Sequence, residues 1–321
     1  MRIANGFPLL ALLASVAACG STPSAGNDAP PGDAADFHPP PPKAGYTRFI
    51  APVISDIPPG ADVSYCQYLQ APLDRDIDIL DVDGVQSKSS HHAVAYATTK
   101  DEPVGTSRPC IQGDDSMGAS LGGIGGEGGG GFELPEGVAF RVPAGSSILL
   151  NAHFLNTTHE RLQGHTVLDI KFAEVDPDRK IASLFTNVNA TFTLAARAEA
   201  RAIADCTFPK PMEFVLFSNH MHHLGTSART ELRRADGSVE LVHDDPVWEP
   251  EMEYRAVMSS WPIGNPLRIE KGDVLHTECN WMNPSEAEIK FPTEMCIAFG
   301  YFVTDAGTAR SPVCAGTYWR D

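Results

Sequence analysis

The pattern that most constrains this chain is a succession of short β-like runs broken by Gly, Pro, Asn and Asp, with no long helical periodicity between them. From Tyr46 onward the runs are Ile77 to Val82, His92 to Thr98, Val138 to Val142, Ile148 to Leu155 and Val167 to Phe172. The second half repeats the style with Phe214 to Asn219, Ala228 to Leu232, Val274 to Cys279 and Met295 to Val303. A strand sends alternate side chains to opposite faces, so regularly spaced short strands need a second sheet to cover their apolar side and suggest β-sandwiches. The expectation is an all-β fold of two sandwich domains, residues 45–175 and 176–321, meeting at the charged, Pro-containing stretch Glu174 to Lys180. A length of 321 residues suffices for two full cores.

The first residues set the compartment. Met1-Arg2 and the apolar stretch Phe7 to Ala18 read as an export signal over residues 1–18, too short to span a bilayer as a stable helix. It ends in Val16-Ala17-Ala18-Cys19, which resembles the bacterial lipobox, so that Cys19 becomes the lipidated first residue; an ordinary cleaved signal with a chance cysteine is the alternative. Residues 19–44 are rich in Gly, Ser, Pro, Ala and Asp and read as a tether from the membrane surface. The expected location is therefore extracytoplasmic and membrane-anchored. Setting Cys19 aside leaves Cys66, Cys110, Cys206, Cys279, Cys296 and Cys314, an even set that should form disulfides in an exported protein. With all six paired, no thiolate remains for a blue-copper centre or a cysteine nucleophile. Lys and Arg number 24 against 41 Asp and Glu, a balance of −17 that repels phosphate backbones and argues against a nucleic-acid partner.

Gly118 to Gly131 is nearly all glycine and reads as a flexible loop. It contains matches to G-x-S-x-G and G-x-G-x-x-G, but both patterns require a following helix that this composition cannot support. His159-Glu160 fails the H-E-x-x-H pattern because Gln163 stands four residues after His159. No hydrolase motif survives.

The chemistry lies in the histidines. Ser218-Asn219-His220-Met221-His222-His223-Leu224-Gly225 follows the apolar run Met212 to Phe217, which reads as a buried strand. Side chains two apart share a face, so His220 and His222 point together and can ligate one copper or zinc ion, while His223 faces away. The first half supplies His91-His92 and a lone His153. Adjacent residues on a regular strand face opposite ways, so His91 and His92 can share a metal only at a strand end or a bulge, and His153 alone would suit a satisfied core position.

The order His-His, then His, then His-x-His-His-x-Gly, then Glu-Met-Cys resembles the copper type II, ascorbate-dependent monooxygenases, including peptidylglycine α-hydroxylating monooxygenase and dopamine β-monooxygenase. The likeness covers roughly Ile50 to Val313 and includes Leu134 to Val142 leading into the His153 strand and Gly272-Asp273-Val274 leading into Cys279. It implies two tandem jelly-roll-like sandwiches with one copper in each, facing each other across an open cleft. His91, His92 and His153 would hold the electron-transfer copper; His220, His222 and Met295 would hold the copper where dioxygen is used. Dioxygen, a small-molecule substrate, and ascorbate or another reductant are the implied partners. The same likeness implies the pairs Cys66–Cys110, Cys206–Cys314 and Cys279–Cys296. For Met295, the residues alone would suit core packing; only the resemblance selects it over Met212, Met252 or Met282.

There are departures. Ala93 and Thr98 stand where the family has a methionine and a cysteine, and Met221 replaces the usual threonine. The positions that hold a peptide carboxylate in the peptide-hydroxylating members are here Ser218, Ile297 and Phe299, which points away from a glycine-extended peptide. Two rivals share the loss: a copper-binding or electron-transfer lipoprotein without oxygenase activity, and a structural sandwich with vestigial histidines. A hydroxylase requires a partly apolar cleft beside His220, His222 and Met295.

Overall fold

The computed structural model describes residues 37–110, 117–126, 129–156, 158–304, 311–316 and 318–320. The expected signal, Cys19 and the tether as far as residue 36 lie outside them. Alternation in the sequence becomes alternation of burial: in the strand Ala198–Thr207, Ala202, Ala204 and Cys206 are buried while Arg201, Ile203 and Asp205 face solvent. The largely apolar strand Ser147–Leu155 instead occupies the centre of its sheet.

Among the described residues three large sheets make the body, with two further two-stranded pairs beside them. The longest has eleven strands and draws on both halves of the chain. A five-stranded sheet, in the order Ser107–Pro109, Asp62–Gln70, Ser147–Leu155, Ser90–Thr98, Ala119–Gly125, shares one core with it. That core contains Phe140, Ile148, Leu150, Phe154, Leu168 and Ile170, and Val215, Leu216 and Tyr301 from the second half join it. A four-stranded sheet, in the order Ala198–Thr207, Val274–Asn283, Gly225–Arg233, Val239–Asp245, closes a second core around Phe185, Phe208, Phe214, Phe217, Leu232 and Leu275. Each such side chain, fully buried, contributes about 1.5–3 kcal/mol.

At the expected seam the hydrogen bonding continues: Lys180 and Ile181 pair in parallel with Val138 and Ala139. Arg141 and Arg179 both donate to the buried carboxylate of Asp78, which pins the same crossing, at 2.8 Å to Oδ1 and 2.9 Å to Oδ2. The disulfides are Cys66–Cys110, Cys206–Cys314 and Cys279–Cys296, the pairs the resemblance implies. The last joins the strand Cys296–Thr304 of the long sheet to Val274–Asn283 of the four-stranded sheet facing it.

The glycine-rich stretch differs from expectation. Ala119–Gly125 is an edge strand paired with Ser90–Thr98 rather than a loop. Glycine in a strand marks a place where another backbone comes close. A Cβ at Gly125 would sit 2.2 Å from the carbonyl oxygen of Tyr254, so only glycine lets the turn around Tyr254 settle against this sheet.

Candidate metal centre

The strand Ser90–Thr98 carries a bulge where the histidine pair needs one. Its register against Ser147–Leu155 slips between Ser90 and His92, so that Ser90 lies opposite Phe154 and His92 opposite His153. The preceding Ser89 adopts a φ of 61°. The extra residue brings the two adjacent imidazoles together, with His91 Nδ1 and His92 Nδ1 2.6 Å apart. The His153 ring centroid lies 4.7 Å from that of His91 and 5.0 Å from that of His92. His153 Nε2 is 2.5 Å from Asp62 Oδ1, so this nitrogen carries the proton and donates, leaving Nδ1 as the lone-pair nitrogen.

The second set is built at a strand end. Met212–His220 stops at His220, and His222 stands in the turn that follows rather than on the same strand. The two rings still meet, with centroids 5.3 Å apart. Glu294 fixes the turn: its buried carboxylate accepts from the His222 amide at 3.1 Å, the Leu224 amide at 2.8 Å and Trp281 Nε1 at 3.0 Å. His222 Nδ1 donates to the Thr293 carbonyl at 2.9 Å, which leaves its buried Nε2 a lone pair with no hydrogen-bond partner. Met295 is half-buried, one residue ahead of the strand Cys296–Thr304. His223 turns outward and is 56% exposed.

The two sets are contiguous. The His91 and His222 ring centroids lie 4.7 Å apart, closer than the open cleft of the resemblance implies. Between them reaches Glu253, from the 3-10 turn Pro250–Glu253, whose Oε1 bonds His91 Nε2. Two groups of donor atoms could hold a metal ion, His91 with His92 and His153, and His91 with His222 and Glu253; within each group all atoms lie within 4.8 Å of one another. Burial, with His222 and His153 nearby, pushes the His91 imidazole down to about 3, and burial holds His92 and His220 well below the ordinary imidazole value. Neutral imidazoles are the form that ligates metal. Burial raises the Glu253 carboxyl, against the pull of the surrounding histidines.

A cavity of about 600 Å³ opens beside the cluster. His92, His220, Glu253 and Met295 line it, and Phe132, Ile297, Phe299 and Tyr301 add apolar wall. The structure thus brings His91, His92, His153, His220 and His222 together and sets Met295 on the cavity with His220. Sequence reasoning missed Asp62, Glu253 and Glu294. Glu294 had a signal, a carboxylate placed directly before Met295 and an apolar strand; Asp62 and Glu253 had none, since their partners are 91 and 162 residues away.

Fold and site define a class: an all-β, disulfide-bonded sandwich protein with a histidine cluster able to hold metal. No family model and no curated protein matches the chain. Among solved structures it is similar to PNGF-II ("Structure of PNGF-II in C2 space group"), at 10% identity and a TM-score of 0.33, over 82% of this chain and 65% of that one, a likeness too slight to speak for fold or function.

Proposed function

We propose that this chain is a copper-dependent monooxygenase that hydroxylates a C–H bond of a small organic molecule, using dioxygen and ascorbate or another reductant. One observation supports the reading most: three imidazoles on one sheet and a second pair of imidazoles with a methionine converge beside a single cavity with apolar walls. The donors fit copper. Imidazoles suit both of its oxidation states, and a thioether favours Cu(I), so His91, His92 and His153 would hold one ion and His220, His222 and Met295 the other. Bound there, copper supplies electron transfer and the use of dioxygen.

The chain's own residues prepare that chemistry. Asp62 and the Thr293 carbonyl fix the tautomers of His153 and His222 by accepting one N–H from each, which keeps the other nitrogen free to ligate. Phe132, Ile297, Phe299 and Tyr301 would take an apolar substrate body and exclude water. Ser218 Oγ is committed to the Val257 carbonyl at 2.7 Å, and Ile297 and Phe299 are cavity wall, so these three positions offer a peptide carboxylate no anchor. The three disulfides favour an extracytoplasmic setting, to which the lipid anchor at Cys19 belongs as part of the proposal.

The test is oxygen consumption by the copper-loaded protein with ascorbate under ¹⁸O₂, against phenethylamines, peptides and small apolar metabolites. The expected result is substrate-dependent uptake with one labelled oxygen in the product. Copper binding with uptake that no compound alters would favour the electron-transfer reading instead.

A further inference from the structure

Glu253 has no part in either copper set, yet it is buried at their junction with its side chain 2% exposed. Its Oε1 is engaged by His91 Nε2, while its Oε2 has no hydrogen-bond partner, the half-exposed His223 Nδ1 standing 3.9 Å away. Facing the same junction, His222 Nε2 also has none, and with Nδ1–H given to Thr293 it can only accept. An ionised carboxylate oxygen and a lone-pair nitrogen cannot satisfy each other. A cation satisfies both at once.

We propose that His91 Nε2, His222 Nε2 and Glu253 form a third metal position, selective for Zn(II), that joins the two histidine sets. Their donor atoms all lie within 4.8 Å of one another. Two imidazoles with a hard carboxylate and no sulfur is a zinc donor set, and with copper held as Cu(I) by ascorbate the softer ion goes to the thioether instead. Donors around a tetrahedral zinc stand about 3.3 Å apart, so on metal binding the His91–Glu253 contact opens and the wider separations in the group, which lie within 4.8 Å, close. Glu253 also lines the cavity, which gives a fourth ligand, a water, access to the ion. The glycine strand serves this position: Gly125 admits Tyr254, and Arg255 Nε donates to the Gly129 carbonyl at 3.0 Å, so the chain just after Glu253 is held at two points.

One consequence rests on the copper reading. His222 has a single free nitrogen, so zinc here and copper at His220 and Met295 compete for it. The third position itself does not depend on oxygenase activity.

Zn(II) is titrated into the metal-free full chain against a chromophoric chelator, with ascorbate present. The expected result is one zinc per chain in the wild type, with affinity about 100-fold lower in Glu253→Gln. No stoichiometric zinc, or zinc held as tightly by Glu253→Gln, overturns the proposal. Should that variant not fold, anomalous diffraction at the zinc edge from zinc-loaded wild-type crystals decides. A peak among His91, His222 and Glu253 supports the position, and a peak elsewhere overturns it. Cu(I) titrated into a separate sample of the metal-free chain separates the two claims: two coppers there with no zinc in the first titration refutes the third position alone, and zinc at the position in the first with no copper in the second refutes only the copper reading.

Discussion

Met295 is the residue on which packing and ligation compete most evenly. It lines the cavity with His220, and a half-buried methionine needs no metal to explain it. Met295→Ile keeps volume and apolarity, so stability should fall by less than about 1.5 kcal/mol. Cu(I) binding at His220 and His222 should weaken far more, and X-ray absorption on the reduced protein should lose a sulfur scatterer. Identical spectra for the two proteins would return Met295 to the core. His91 makes a prediction in pH. Burial holds its folded value near 3, below the ordinary value of about 6.5. The unfolded chain therefore binds more protons between these values, so metal-free stability is full above about pH 6.5 and declines as the pH falls toward 3. The slope owed to one such histidine is at most about 1.4 kcal/mol per pH unit. Denaturant melts at stepped pH should show it in the wild type and a shallower slope in His91→Ala; equal slopes would contradict the burial argument.

Among the elements, the periodic ones were legible in the sequence. Val138–Val142 is the strand its residues suggest, and Thr166–Ala173 extends the expected run by one residue at each end. The need for a bulge at His91-His92 was also legible, because two adjacent ligands cannot share a face of a regular strand, and the register slips there. The edge strand Ala119–Gly125 was not. Glycine has little strand preference, and what makes it a strand is its pairing with Ser90–Thr98, distant in sequence, which no local pattern encodes. Gly125→Ala tests that account. A methyl group 2.2 Å from the Tyr254 oxygen must displace the turn that carries Glu253. The expected cost is about 1–3 kcal/mol in a thermal or denaturant melt, with the His91–Glu253 bond disturbed. A fully stable Gly125→Ala would mean that the turn is not seated by the glycine strand.

For the whole molecule, fold class follows from strand spacing, but the single long sheet does not. Its continuity depends on Val138 and Lys180 pairing in parallel across a connection, and on Val215, Leu216 and Tyr301 entering the first core. The same long-range assembly makes the site: His91, His153, His222 and Glu253 are scattered over the sequence and meet only because the sheets carry them to one place. Motif order found the histidines; the carboxylates that orient and join them came from topology. The central claim is that these donors form two copper sites, and copper per chain measures it most directly. Wild-type protein reconstituted with Cu(I) is predicted to hold two ions, and His153→Ala one, because His220, His222 and Met295 keep their own donors. A wild-type chain that binds a single copper, or none, would contradict the account.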